Sequence, residues 1–152
     1  MRIWRIAQHK YALDRLCAGS ALYGGRWNPV GLPALYCGAS IAICALEKFM
    51  HIGSAPLPPL VLVAVDIPDQ SKVFSPTASE LPSGWDELPT SVSAQALGRG
   101  WLERGEALAM RVPSAVLPEE SNVILNPRHP NFEYVTLTVV RPFSFDQRMF
   151  KQ

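Results

Sequence analysis

PALYCGASIAICALEKFMHIGSAPLPPLVLVAVDI, residues 33–67, reads as strand, helix, strand, and this reading decides the fold class. Pro33 to Cys37 is a short apolar run and Gly38 a turn. Ser40 is placed to cap a helix running to about His51, with Gly53 as its stop. Leu60 to Ile67 is a continuous, β-branched apolar run, the pattern of a strand covered on both faces in the middle of a sheet. In a chain of 152 residues this combination predicts an α+β fold, a mixed β-sheet with flanking helices.

Working outward, Arg2 to Ile6 reads as an opening strand and Lys10 to Leu16 as a brief amphipathic helix. Gly19 to Pro33 holds four glycines and two prolines around Tyr23, Arg26, Trp27 and Asn28, which is loop chemistry with large side chains in it. Pro68 to Pro89 is polar, proline-rich and long enough for a flap over a site. Ser91 caps a helix to about Arg104. Strands follow at Ala107 to Val112, Val123 to Leu125 and Tyr134 to Val140. No repeat or linker divides the chain, so residues 1–152 read as one domain.

The bulk composition excludes several functions. Hydrophobic residues make up 48% and charged residues 18%, the profile of a folded globular chain. Fourteen basic against 13 acidic residues give a net charge of +1, too little field to hold a polyanion, so no direct nucleic-acid binding is expected. A small anion gripped by one or two arginines is compatible with that balance. Cys17, Cys37 and Cys44 show no metal spacing and read as reduced, buried thiols, with no metal expected. The start MRIWRIAQHKYALD interrupts its apolar residues with charge and is no signal peptide, and Leu60 to Val65 is too short to cross a bilayer. A cytoplasmic protein without membrane contact is the expectation.

Three segments carry residues suited to chemistry. In SIAICALEKFMH almost every position is apolar, so the helix should be largely buried, and Glu47 sits near its centre. A carboxylate there costs several kcal/mol unless it is paired, hydrogen-bonded or turned into a cavity. The plain alternative is a narrow solvated edge made by Glu47 and Lys48. In GGRWNPVG, residues 24–31, the glycines admit a close ligand, Arg26 offers a phosphate-binding fork, Trp27 can stack and Asn28 can read a polar edge; the alternative is a tight turn with Trp27 in the core. In SNVILNPRHP, residues 121–130, Ser121, Asn122, Asn126, Arg128 and His129 surround a short apolar strand. Ser121 and Asn126 can face a sugar or merely turn the backbone.

Together these segments resemble the RES domain family, named for an arginine, a glutamate and a serine. The match runs from Arg5 in WRI through Arg26 in GGRWN, Tyr36 in LYCG and Glu47 in ALEKFMH to Ser121 in SNVILNPRHP. The resemblance implies a fold similar to the ADP-ribosyltransferases. It also implies a toxin of a toxin–antitoxin pair whose cognate antitoxin carries an Xre-like helix-turn-helix domain, with NAD+ consumed as substrate and no cofactor. Carried over by position, Arg26, Tyr36, Glu47 and Ser121 are the catalytic set, with Trp27, Asn28, Asn126 and Arg5 binding substrate.

On that reading, Arg26 holds a phosphate of NAD+, Tyr36 packs against the nicotinamide ribose or ring, Glu47 stabilises the cation that develops as nicotinamide leaves, and Ser121 orients the ribose. The acceptor is water, phosphate or a protein side chain. The antitoxin is expected to cover the cleft at Arg26, burying Trp27 or Trp85. The rival reading is a non-catalytic module that binds a nucleotide or a partner; a ribonuclease using His51 or His129 lacks a basic surface.

Overall fold

Seven strands form one mixed sheet in the order β4-β5-β6-β2-β1-β3-β7 in the computed structural model, which describes residues 1–151. The strands are β1 (Arg2–Gln8), β2 (Leu35–Gly38), β3 (Leu60–Asp66), β4 (Val73–Phe74), β5 (Ala109–Pro113), β6 (Ser121–Leu125) and β7 (Thr136–Phe143), and the helices are α1 (Ala18–Tyr23), α2 (Ile41–Met50) and α3 (Val92–Arg104). The α+β class read from the sequence is the one observed. All neighbouring pairs are antiparallel except β4 with β5.

The two long helices begin where their caps place them. Ser40 accepts a hydrogen bond from Ile43 N and Ser91 one from Ala94 N, each satisfying a donor that the first helical turn cannot. α2 ends at Met50, one residue before the expected His51, and His51 rather than Gly53 stands at its C-cap. β3 is buried from Leu60 to Val65 and is an interior strand, one in from the β7 edge.

Two expectations near the N-terminus do not hold. Lys10 to Leu16 forms only a 3-10 turn at His9–Tyr11; Tyr11, Leu13 and Leu16 are exposed, and buried Ala12 alone is too little apolar surface to pull that segment into a helix. The supposed loop from Gly19 instead contains most of α1, six residues with no buried side chain and therefore no periodic signal to read.

The pleat sends alternate residues to opposite faces. Ile3 and Ala7, Leu35 and Cys37, Val61, Val63 and Val65, and Val123 and Leu125 form one core, closed by Ala12, Cys17, Phe132 and Val135. The other face carries both long helices. α2 packs Cys44 over Ile6, Leu60 and Leu62, and α3 packs Ala94, Trp101 and Leu102 over Met110, Val112 and Ile124. Gly38 lets α2 approach β2: a Cβ there would lie 2.6 Å from Ile43 Cγ2 and 2.7 Å from Cys44 Sγ. Between the two helices runs a strip of β2 and β6, with Tyr36 opposite Ile124 and Gly38 opposite Asn122.

The three cysteines are free and buried. Burial pushes the Cys17 thiol up to about 11 and that of Cys44 to about 12, so neither is a ready nucleophile at neutral pH.

Candidate functional site

Glu47 leaves α2 toward the β2–β6 strip, where its carboxylate is held by two donors. Ser114 Oγ donates to Oε1 at 2.6 Å and Asn122 Nδ2 donates to the same oxygen at 2.8 Å. Ser114 is fully buried in the turn after β5, and its hydroxyl oxygen accepts from Val116 N at 3.0 Å and Leu117 N at 3.2 Å. Those two bonds occupy the oxygen's lone pairs, so its one proton goes to Glu47. Oε2 has no hydrogen-bond partner among the described residues. Lys48 is half-buried and takes no part; burial, then the charge of Arg5, lowers its pKa, the opposite of what an ion pair with Glu47 would do. Glu47 is therefore a gripped carboxylate, half-buried like Lys48 but not paired with it, in a helix of which only Ile43 and Cys44 are fully buried, fewer than its apolar run implied.

Arg26 lies at the other end of the strip. Its Nη1 donates to the carbonyls of Trp85 and Glu87, each at 2.9 Å, while Nη2 and Nε have no partner among the described residues. The segment expected as a flap thus takes one nitrogen of the guanidinium and leaves the opposite edge for an anion. Trp85 also stacks on Trp27, with ring centroids 6.2 Å apart.

Tyr36 joins the two ends. Its hydroxyl donates to Asn28 Oδ1 at 2.5 Å and accepts from Trp27 N at 3.0 Å, which ties the GGRWN loop to β2. Burial raises its pKa well above the ordinary tyrosine value, so it stays protonated and acts as a strut. Tyr36 and Asn122 are diagonal neighbours on one face of the β2–β6 ladder, about 7–8 Å apart. Arg26, Tyr36, Asn122, Glu47 and Ser114 accordingly line a single strip between α2 and α3.

Removing the Tyr36 hydroxyl should leave a buried amide oxygen and a backbone N–H unpaired. Tyr36→Phe is expected to cost about 1–3 kcal/mol, read from urea unfolding; an unchanged midpoint would show that the strut carries no load.

Other expected residues are placed differently. Ser121 immediately precedes Asn122 on β6, so its side chain points to the face opposite Glu47. Asn28 is fully buried, with Nδ2 donating to Ser20 O and Leu32 O, and Trp27 is 2% exposed; both build the loop from inside. Asn126 spends its amide on Leu102 O and accepts from Arg128 N, beside a separate cavity of about 360 Å³ that Leu32, Glu103 and Arg128 also line. Arg5 shares the β1 face of Ile3 and Ala7 and donates to Ala12 O at 3.3 Å. Sequence reasoning passed over Ser114 and noted Asn122 without choosing it. Val123, Ile124 and Leu125 are apolar on both faces, so no alternation marks which neighbour of the strand start faces α2.

A family model described as RES domain matches residues 2–146. The chain is 35% identical over 155 residues to the Prs ADP-ribosylating toxin of Sphingobium sp. (strain YBL2), covering 98% of this chain and 96% of that protein. It is 34% identical over 154 residues to Toxin Res of Photorhabdus laumondii subsp. laumondii, covering 99% and 98%. Toxin Res of Yersinia enterocolitica is 34% identical over 153 residues, covering 98% and 99%. Among solved structures, a chain in the crystal structure of the M.tuberculosis MbcT-MbcA toxin-antitoxin complex superimposes with a TM-score of 0.69 at 18% identity, over 98% of this chain and 86% of that one. That last likeness concerns the fold.

Proposed function

The chain belongs to the RES domain family, and on that premise we propose that it is the toxin of a toxin–antitoxin pair, an enzyme that breaks the bond between nicotinamide and ribose in NAD+. The observation that carries this reading is the strip itself: a carboxylate with one free oxygen at one end and an arginine with one free edge at the other. Breaking the glycosidic bond passes through an oxocarbenium-like state, which a preorganised carboxylate favours. Oε2 of Glu47 meets the ribose and the charge that develops on it, while Nη2 and Nε of Arg26 hold a phosphate of the dinucleotide. Nicotinamide leaves as a neutral base, so no strong general acid is needed.

Water, inorganic phosphate or a protein side chain then captures the ADP-ribosyl group. The relative named for ADP-ribosylation of Prs supports transfer to a protein, and mass spectrometry of the products with and without phosphate separates the three. The antitoxin, on this reading an Xre-like helix-turn-helix protein, covers the cleft. Trp27 is too buried to be its contact, whereas Leu22 and Tyr23, just before the GGRWN loop, are 64% and 80% exposed.

The test is release of nicotinamide from NAD+ by the purified protein. Its absence would leave a binding module. Arg26→Lys is expected to lower kcat/KM about tenfold, because a point charge cannot both hold two carbonyls and present a fork; equal values would make Arg26 a loop clamp alone. Ser121→Ala should turn over NAD+ like the wild type, since its side chain lies across the sheet from Glu47, and a large loss there would contradict the assigned strip.

A further inference from the structure

Glu47 and its two donors raise a question of orientation: which oxygen of the carboxylate does the work, and what decides it. Both donors, from the turn after β5 and from β6, converge on Oε1. An ionised carboxylate offers about four lone-pair sites, and a side chain in the middle of a helix has rotamers that exchange its two oxygens. One-sided saturation breaks that symmetry. Ser114 alone would leave the carboxylate free to pivot about a single bond; a second donor on the same atom, from a different strand, removes the pivot.

We infer that Asn122 is a positioning residue: its amide, with the Ser114 hydroxyl, fixes Glu47 by Oε1 so that Oε2 alone is presented to the ligand. The inference rests on the NAD-splitting reading above and adds to it the residue that orients the carboxylate. Asn122 is suited to this by register. It lies opposite Gly38 in β2, where no side chain intervenes between the ladder and α2, and Gly38 admits α2 closely enough for Glu47 to reach across. Because Asn122 cannot ionise, its amide remains a donor at every pH and never competes with Glu47 for a proton.

The experiment is a double-mutant cycle on nicotinamide release. Asn122→Asp keeps the size of the side chain but turns a donor into a second carboxylate facing Glu47. It is expected to lower kcat roughly tenfold to a hundredfold, the scale for losing a supporting bond behind a working group, with KM little changed and the thermal midpoint lowered by the repulsion between two carboxylates at hydrogen-bond distance. In a Glu47→Gln background the charge that Asn122 positions is already gone, so the same substitution should cost little or nothing further in kcat. Asn122→Ala, lacking both donor and charge, should follow the same pattern with a smaller first loss. Equal losses in both backgrounds, or a loss confined to KM or to the thermal midpoint, would overturn the inference while leaving NAD splitting intact. Wild-type protein that releases no nicotinamide would overturn the parent reading and this inference with it.

Discussion

Glu47→Gln should abolish most NAD+ turnover while leaving the fold in place. The substitution keeps the side chain's shape and can keep both bonds of the cluster, since the Gln carbonyl oxygen can still accept from Ser114 and Asn122 where Oε1 does now. What it removes is the negative charge on the free oxygen. An NH2 group there would donate toward a ribose carbon that is becoming positive, which is unfavourable where the carboxylate was favourable. Loss of one preorganised electrostatic group costs about a hundredfold to a thousandfold in kcat. The check is nicotinamide release alongside a urea midpoint. A variant that folds and turns over NAD+ near the wild-type rate would remove Glu47 from the chemistry.

The second large effect concerns stability, and it sits at a residue without functional groups. Gly98 lies in the interior of α3, where glycine ordinarily weakens a helix, and replacing it by alanine at an open site should stabilise by about 1 kcal/mol. Here the sign reverses. A Cβ on Gly98 would stand 1.7 Å from the carbonyl oxygen of Trp27 and 2.5 Å from its carbonyl carbon. Both are backbone atoms, in a loop locked by Asn28, Tyr36 and the bonds from Gln95 Nε2 to Gly25 O and Asn28 O. Nothing flexible can give way, so α3 or the loop must move as a body. Gly98→Ala is expected to destabilise by about 3 kcal/mol or more and to lower the thermal midpoint by about 10 °C. Because the displaced loop carries Arg26, NAD+ turnover should fall as well. A midpoint equal to or above that of the wild type would show that the close approach is not maintained in solution.

The strip between α2 and α3 and this packing contact are linked through the same segment. Trp27 holds the loop against α3 from below, Tyr36 holds it against β2, and Trp85 and Glu87 grip the one guanidinium nitrogen of Arg26 that faces them. Four of the residues around Arg26 are thus spent on fixing its direction. Residues that looked like ligand contacts in GGRWN are the mould in which the half-buried charge of Arg26 is set, which is why Trp27 and Asn28 are buried rather than presented.

Much of this was legible in the chain alone. The caps at Ser40 and Ser91 are local hydrogen-bond chemistry, and α2 and α3 begin where it says, while β3 begins with its β-branched apolar run at Leu60. The oddity of a carboxylate in an apolar helix singled out Glu47, and the ordered segments from WRI to SNVILNPRHP identified the family that the residue 2–146 match shows. Each of these signals spans a few residues or depends on order along the chain. The partners of Glu47 do not. Ser114 is 67 residues away and Asn122 is 75, and only the pairing of β5 with β6 and β6 with β2, under a helix admitted by Gly38, brings them to one oxygen. Ser121 and Asn122 differ by a single step along a pleated strand, and that step exchanges the faces of the sheet. The strand is apolar on both sides, so the choice between them was made by tertiary packing, which buries both faces and erases the alternation that would have marked it.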